Sequence, residues 1–203
     1  MLVTAIRQQE RRKERFSVYV DGKYSFSLSD SALLQSGLSS GVQLSGDDIK
    51  RYKRLSAEDK LFTNAVRYAA MRQRSRWEIM TYLARKEAAP ELAEQIADRL
   101  SGLGFIDDQA FARNWVENRH LLKPTSKRKL RQELQAKRVA TAVIDEVLRQ
   151  DETGDRQELR SLIAKKRRIS KFSQDPAKLM QYLARQGFGY EDIKSAMDES
   201  DDD

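Results

Sequence analysis

No cysteine occurs in the chain, which excludes disulfides and thiolate metal sites and leaves the redox compartment unspecified. Histidine occurs once, as His120, with no carboxylate and nucleophile at a recognisable spacing, so neither a catalytic triad nor an imidazole metal site is expected. Neither a Walker loop nor G-x-G-x-x-G is present to cradle nucleotide phosphates. Long hydrophobic runs are missing too. The opening "MLVTAIRQQERRKER" turns polar and charged within seven residues, and no stretch approaches transmembrane length. The expectation is a soluble, cytoplasmic protein with no cofactor and no membrane contact.

What is present is charge. Thirty-eight Lys and Arg stand against 31 Asp and Glu, a formal excess of +7 that points to a polyanionic partner. Five of the acids, Asp198, Glu199 and Asp201 to Asp203, crowd the last six residues, so the remainder is more basic than the total suggests. A hydrophobic content of 39 % over 203 residues is lean for one large core and favours a modular design.

Residues 15 to 29, "RFSVYVDGKYSFSLS", alternate Phe16, Val18 and Val20, then Tyr24, Phe26 and Leu28, around Asp21-Gly22. Asp-Gly between two alternating runs predicts a β-hairpin, because Gly tolerates the positive φ of a two-residue turn. A small N-terminal β-hairpin module with a connector is assigned to residues 1–56. Within it, residues 29–55 read as a short helix, a turn and the basic connector "KRYKRL".

From Ser56 the period is helical, and three segments superimpose: "SRWEIMTYLARK" from Ser75, "SKRKLRQELQAK" from Ser126 and "DPAKLMQYLARQ" from Asp175. Ile79, Leu130 and Leu179 occupy one position and Leu83, Leu134 and Leu183 the next turn but offset by four, at spacings of 51 and 49 residues. That is one face of a helix. Ser75 with Glu78 reads as a capping box, and Asp175-Pro176 pairs a cap with the favoured first-turn proline. The following helix recurs as "IADRL" at Ile96, "IDEVL" at Ile144 and "IKSAM" at Ile193, and an amphipathic run precedes each unit at Leu61 to Met71, Ala110 to Leu122 and Gln157 to Arg168. The predicted fold is mainly α: three tandem three-helix repeats over 57–105, 106–152 and 153–198, forming an elongated curved array, with an acidic disordered tail at 199–203.

Asp107 and Asp108, inside "GLGFIDDQAFARNW", could hold a metal as a paired carboxylate. They are better read as a helix start. Gly102 or Gly104 ends one helix, Asp107 is the N-cap of the next, Ile106 and Phe111 occupy the hydrophobic-staple positions, and Asp108 favours the dipole in the first turn. A metal-dependent phosphoryl-transfer enzyme would need more convergent carboxylates than this pair.

The region Arg119 to Arg138 holds eight Lys or Arg against Glu133 alone. Helical projection groups Arg128, Arg131 and Arg138 beside the Leu130 and Leu134 stripe, so one cationic face is expected there, including Lys127, Lys129 and Lys137. A second cluster is Lys165, Lys166, Arg167 and Arg168, ending at Lys171, and a third is Arg72, Arg74 and Arg76. A solvated helix face, or cations complementing a helix C-terminus, would account for these runs without a partner. Trp77, Tyr82, Phe111, Trp115 and Tyr182 lie at helical spacing and are expected in the core rather than as base-stacking platforms.

"GFIDDQAFARNW" followed by "SKRKLRQELQAKRV", with "SRWEIMTYLARK" before it, resembles the RecX family of bacterial recombination regulators over roughly residues 60 to 198. The N-terminal hairpin is a looser match to a module that some members carry. The third unit departs from the pattern in lacking a capping box and beginning with Asp175-Pro176. The resemblance implies a non-enzymatic, monomeric protein that binds the RecA recombinase filament and inhibits strand exchange and co-protease activity, with weaker binding to single- and double-stranded DNA. The alternative is a helical protein acting on DNA without a recombinase partner.

Overall fold

The computed structural model describes residues 1–199. The chain divides into two compact units, one of residues 1–73 with 79–105, the other of 74–78 with 106 onward.

The first unit begins with an antiparallel sheet in the order β1 (Val3–Gln8), β2 (Arg15–Val20) and β3 (Lys23–Ser29). The expected hairpin is the β2–β3 pair. Asp21 and Gly22 take φ of 47° and 78°, the two positive values that match a tight turn to the strand twist. β1 corrects the sequence reading, which had two strands. A register shift between Val3 and Ala5 breaks the alternation by which a strand is recognised.

Ser29 caps α1 (Asp30–Ser36), and Gly37 closes it at φ 63°. A Ser45–Asp48 capping box opens α2 (Gly46–Ala70). The expected connector "KRYKRL" is therefore helical, and α2 runs unbroken past residue 56. Tyr52 explains why: it stacks on Phe26 of β3 at 5.4 Å, and Ile49 and Leu55 on the same helix pack beside it against the sheet. Arg15 and Asp59, 3 % and 8 % exposed, form a 3.0 Å ion pair inside this junction, and Asp59 also accepts the Ser29 N–H at 2.8 Å. Helix α3 (Arg76–Ala84) follows, then α4 (Pro90–Gly102), which buries Ala93, Ile96, Ala97 and Leu100. Gly104, at φ 76°, turns the chain after it.

In the second unit, α5 (Asp108–Leu122), α6 (Lys127–Ala136) and α7 (Thr141–Gln150) enclose Phe111, Val116, Leu130, Leu134, Ile144 and Val147. Helices α8 (Asp155–Arg167), α10 (Pro176–Arg185) and α11 (Tyr190–Glu199) repeat the arrangement around Leu159, Ile163, Leu179, Leu183 and Ile193, with the additional turn α9 (Ser170–Ser173) before α10. The fold is thus mainly helical, with tandem three-helix domains. The predicted equivalents Ile79, Leu130 and Leu179, Leu83, Leu134 and Leu183, and Ile96, Ile144 and Ile193 are all buried. The repeat extends to the backbone: Glu87, Arg138 and Gly187, at the same spacings, each take a positive φ just past the second helix of their repeat.

Glu199, assigned to the tail by sequence, is the last residue of α11, where Arg156 and Arg160 hold its carboxylate. The remaining tail, 200–203, lies outside the described residues.

Candidate polyanion interface

Asp107 and Asp108 stand at the start of α5. Asp107 Oδ1 accepts the N–H groups of Gln109 and Ala110 at 2.9 Å each, as the N-cap of α5. Asp108 Oδ1 accepts the Arg76 N–H at 2.8 Å, satisfying a free donor at the start of α3. Both carboxylates are spent on helix ends. Ile106 and Phe111 are buried, as the staple positions require. Among the described residues no group of His, Cys, Asp and Glu is arranged to hold a metal.

The basic region of the middle repeat is more divided than its sequence suggests. Arg138 does not share a face with Arg128 and Arg131. Helix α6 ends at Ala136, Lys137 caps it, and Arg138 sits beyond in a left-handed conformation at φ 57°. Its exclusion follows from Leu134, whose carbonyl accepts the N–H of Val139 and so closes the helix before Arg138 can continue it. Arg131 is ion-paired with Asp145. Lys127 Nζ donates to the carbonyls of Leu148 and Asp151, at 3.2 and 2.5 Å. Lys129 Nζ is bound to the Arg185 carbonyl, and Lys137 Nζ reaches Glu78 at 2.8 Å while lying over the Trp115 ring. Glu133, the one acid in the run, accepts from Trp115 Nε1 at 2.8 Å and Arg119 Nε at 2.7 Å. Counting acids along the local sequence missed this, because Glu78, Asp145 and Asp151 approach from other elements.

Among the cations expected at the interface in this run, Arg128 and Arg138 are exposed and without an ion pair among the described residues, as is Lys123 in the turn before α6. Arg128 borders a 420 Å³ cavity shared with Lys127, Arg131, Asp145, Leu148 and Arg149. Arg149 is itself paired with Glu146, and its hydrogen bond is the main reason the Glu146 carboxyl lies below its ordinary pKa.

In the second cluster, Lys165 and Arg168 are exposed with no ion pair among the described residues. Lys166 lies over the Phe172 and Tyr182 rings, and Arg167 donates to the Met197 carbonyl at 3.2 Å. In the third cluster, Arg72 donates to the Gln73 carbonyl, and Arg76 is held through its backbone by Asp108. Arg74 is half-buried. Ser75 Oγ donates to the Lys137 carbonyl, bringing residues 74–78 beside the end of α6.

Of the aromatics expected in the core, Phe111 is buried, while Tyr82, Trp115 and Tyr182 are half-buried. Trp77 is 40 % exposed, against expectation, since it lies off the Ile79–Leu83 stripe. His120 lies between two carboxylates. Its Nδ1 lies 3.1 Å from Glu158 and its Nε2 3.2 Å from Asp151, both carboxylates from more than 30 positions away. Sequence spacing gave no sign of that arrangement.

Residues 107–148 match the second three-helix domain of RecX, residues 62–100 the first three-helix domain, and residues 1–45 the regulatory protein RecX N-terminal domain. The chain belongs to the RecX family. It is 31 % identical over 147 residues to a regulatory protein RecX from Lactobacillus johnsonii, a match covering 72 % of this chain and 54 % of that one. The chain thus spans little more than half the length of that relative. Against the regulatory protein RecX of Bacillus subtilis it is 29 % identical over 202 residues, covering 97 % of this chain and 76 % of the relative. A solved crystal structure of regulatory protein RecX superimposes with a TM-score of 0.75 at 26 % identity, covering 97 % of this chain and 98 % of that one.

Proposed function

We propose that the chain is a non-enzymatic regulator of the RecA recombinase, which binds the RecA filament on single-stranded DNA through its basic surface. There it limits filament growth, strand exchange and co-protease activity. Membership of the RecX family supports the regulatory reading, and the exposed, unpaired cations Arg128, Arg138, Lys165 and Arg168 carry the interface. These four replace the broader set of Lys and Arg expected from sequence as the contact residues, because cations already committed to internal acceptors bring less free charge to an anionic surface. The protein acts in the cytoplasm as a monomer, with bare single- and double-stranded DNA as weaker ligands.

Binding to RecA-coated and bare oligonucleotides at several salt concentrations tests this reading. The expected result is tighter binding to the coated strand. Equal affinity for both forms would favour a DNA-binding protein that needs no recombinase, since phosphate attraction alone is indifferent to the coat.

A further inference from the structure

A second surface of the middle repeat carries the opposite chemistry. Helices α5 and α7 and the Asp151–Thr153 turn enclose an open groove of about 670 Å³. Its apolar wall is Val116, Leu121 and Val147. Leu121 is 77 % exposed and Leu122 beside it 78 %, an arrangement that leaves two adjacent leucines in water at the end of one helix. Single exposed leucines are ordinary; an adjacent exposed pair of which one, Leu121, lines an apolar groove is the kind of surface that docks a partner.

The rim supplies the charge. Glu117 and Glu152 line the groove, are exposed, and have no ion pair among the described residues. Asp151 also lines it but is committed to His120 and Lys127. Arg113 is the one permanent cation of the lining, and its field acts on Glu146 as well. Free acids beside apolar side chains, on a chain with an excess of +7, are a local reversal of sign. Such a rim repels nucleic acid and attracts cations, so the occupant is not the polyanion of the basic surface.

We infer that this groove docks a basic, apolar polypeptide segment, with an aliphatic side chain entering against Val116, Leu121 and Val147 and flanking Lys or Arg side chains meeting Glu117 and Glu152. An amphipathic helix laid in the groove has both features at i, i+3 and i+4 spacing. The inference does not depend on the RecA reading.

The test uses the full chain, isotope-labelled for NMR, and three synthetic helical peptides: leucine on one face with lysine flanks, the same peptide with glutamate flanks, and a lysine peptide with serine in place of leucine. The Leu/Lys peptide should shift the resonances of Val116, Leu121, Val147 and Thr153. The other two should bind about tenfold more weakly or less. Leu121→Ser, which alters only an exposed side chain, and Glu117→Lys with Glu152→Lys should each weaken the Leu/Lys peptide by a similar factor, and the uncharged change Leu121→Ser should leave polyanion binding by the basic surface intact. No shift at those residues with the Leu/Lys peptide, equal binding of the Lys/Ser peptide, or unchanged binding to the variants would each overturn it.

Discussion

Asp108 Oδ1 accepts the backbone N–H of Arg76 at 2.8 Å across 32 positions of sequence, and Asp155 Oδ1 accepts that of Lys127 at 2.8 Å across 28. In both pairs an acid in the first turn of one repeat's leading helix satisfies a free donor at the start of the previous repeat's second helix. The equivalent position in the third repeat is Pro176, which has no N–H to satisfy. The last repeat therefore needs no following acid, and its departure from the sequence pattern has a structural cause.

Asp108→Ala should destabilise the fold by about 0.5–2 kcal/mol, the usual cost of losing a side-chain cap. Asp108→Asn keeps an acceptor oxygen and should recover most of the loss. Urea denaturation of the two variants measures the difference. Equal stabilities for Ala and Asn would mean that the bond to Arg76 contributes nothing.

Arg138 and Gly187 make opposite predictions at equivalent positions. Arg138 holds φ 57° with a full side chain, so Arg138→Gly should stabilise by about 1 kcal/mol by relieving left-handed strain. Gly187→Ala should destabilise. Besides its φ of 93°, an added Cβ would stand 2.3 Å from Ser126 Oγ and 2.8 Å from Lys129 Cβ. Thermal midpoints that move in the same direction for both variants would contradict this account.

The buried Arg15–Asp59 pair joins β2 to α2, and Asp59 also holds both the N–H and the hydroxyl of Ser29. Asp59→Ala strands the guanidinium in a dry junction and should cost about 3–5 kcal/mol. Amide exchange of β2 and β3 should accelerate with it. A loss comparable to that of an exposed ion pair would show that water reaches Arg15.

Glu199 gives the acid-side prediction. The Arg160 guanidinium first, and Arg156 with it, hold its carboxyl below the ordinary value of 4.5. The unfolded chain keeps the ordinary value, so the stabilisation is complete above that pH and is lost as pH falls through the lower folded value. Glu199→Gln should thus be less stable than the parent at pH 7, with the gap narrowing toward pH 3. A gap that is constant with pH would exclude Glu199 as its origin.

The repeat architecture was legible because burial on one helix face leaves a periodic trace, and Leu83, Leu134 and Leu183 carry it. The β2–β3 turn was legible through Asp21-Gly22. β1 was not, because its bulge disrupts the period, and neither was the continuity of α2, where charged outward residues resembled a connector. Charge was the least legible property. Lys127, Arg131 and Lys137 read as a free cationic face, yet Asp151, Asp145 and Glu78 meet them from elsewhere in the chain. Pairing of that kind depends on tertiary placement and leaves no local signal. The same limit hid the contacts of His120 with Asp151 and Glu158.

RecA-mediated strand exchange, run with the parent chain and with the variant Arg128→Glu, Arg138→Glu, Lys165→Glu, Arg168→Glu, tests the central claim most directly. These side chains are exposed, so circular dichroism should show unchanged helix content. The account predicts that the parent inhibits exchange and that the folded variant loses most of that inhibition, with a shallower salt dependence of filament binding. Full inhibition by a folded variant, or no inhibition by the parent, would contradict it.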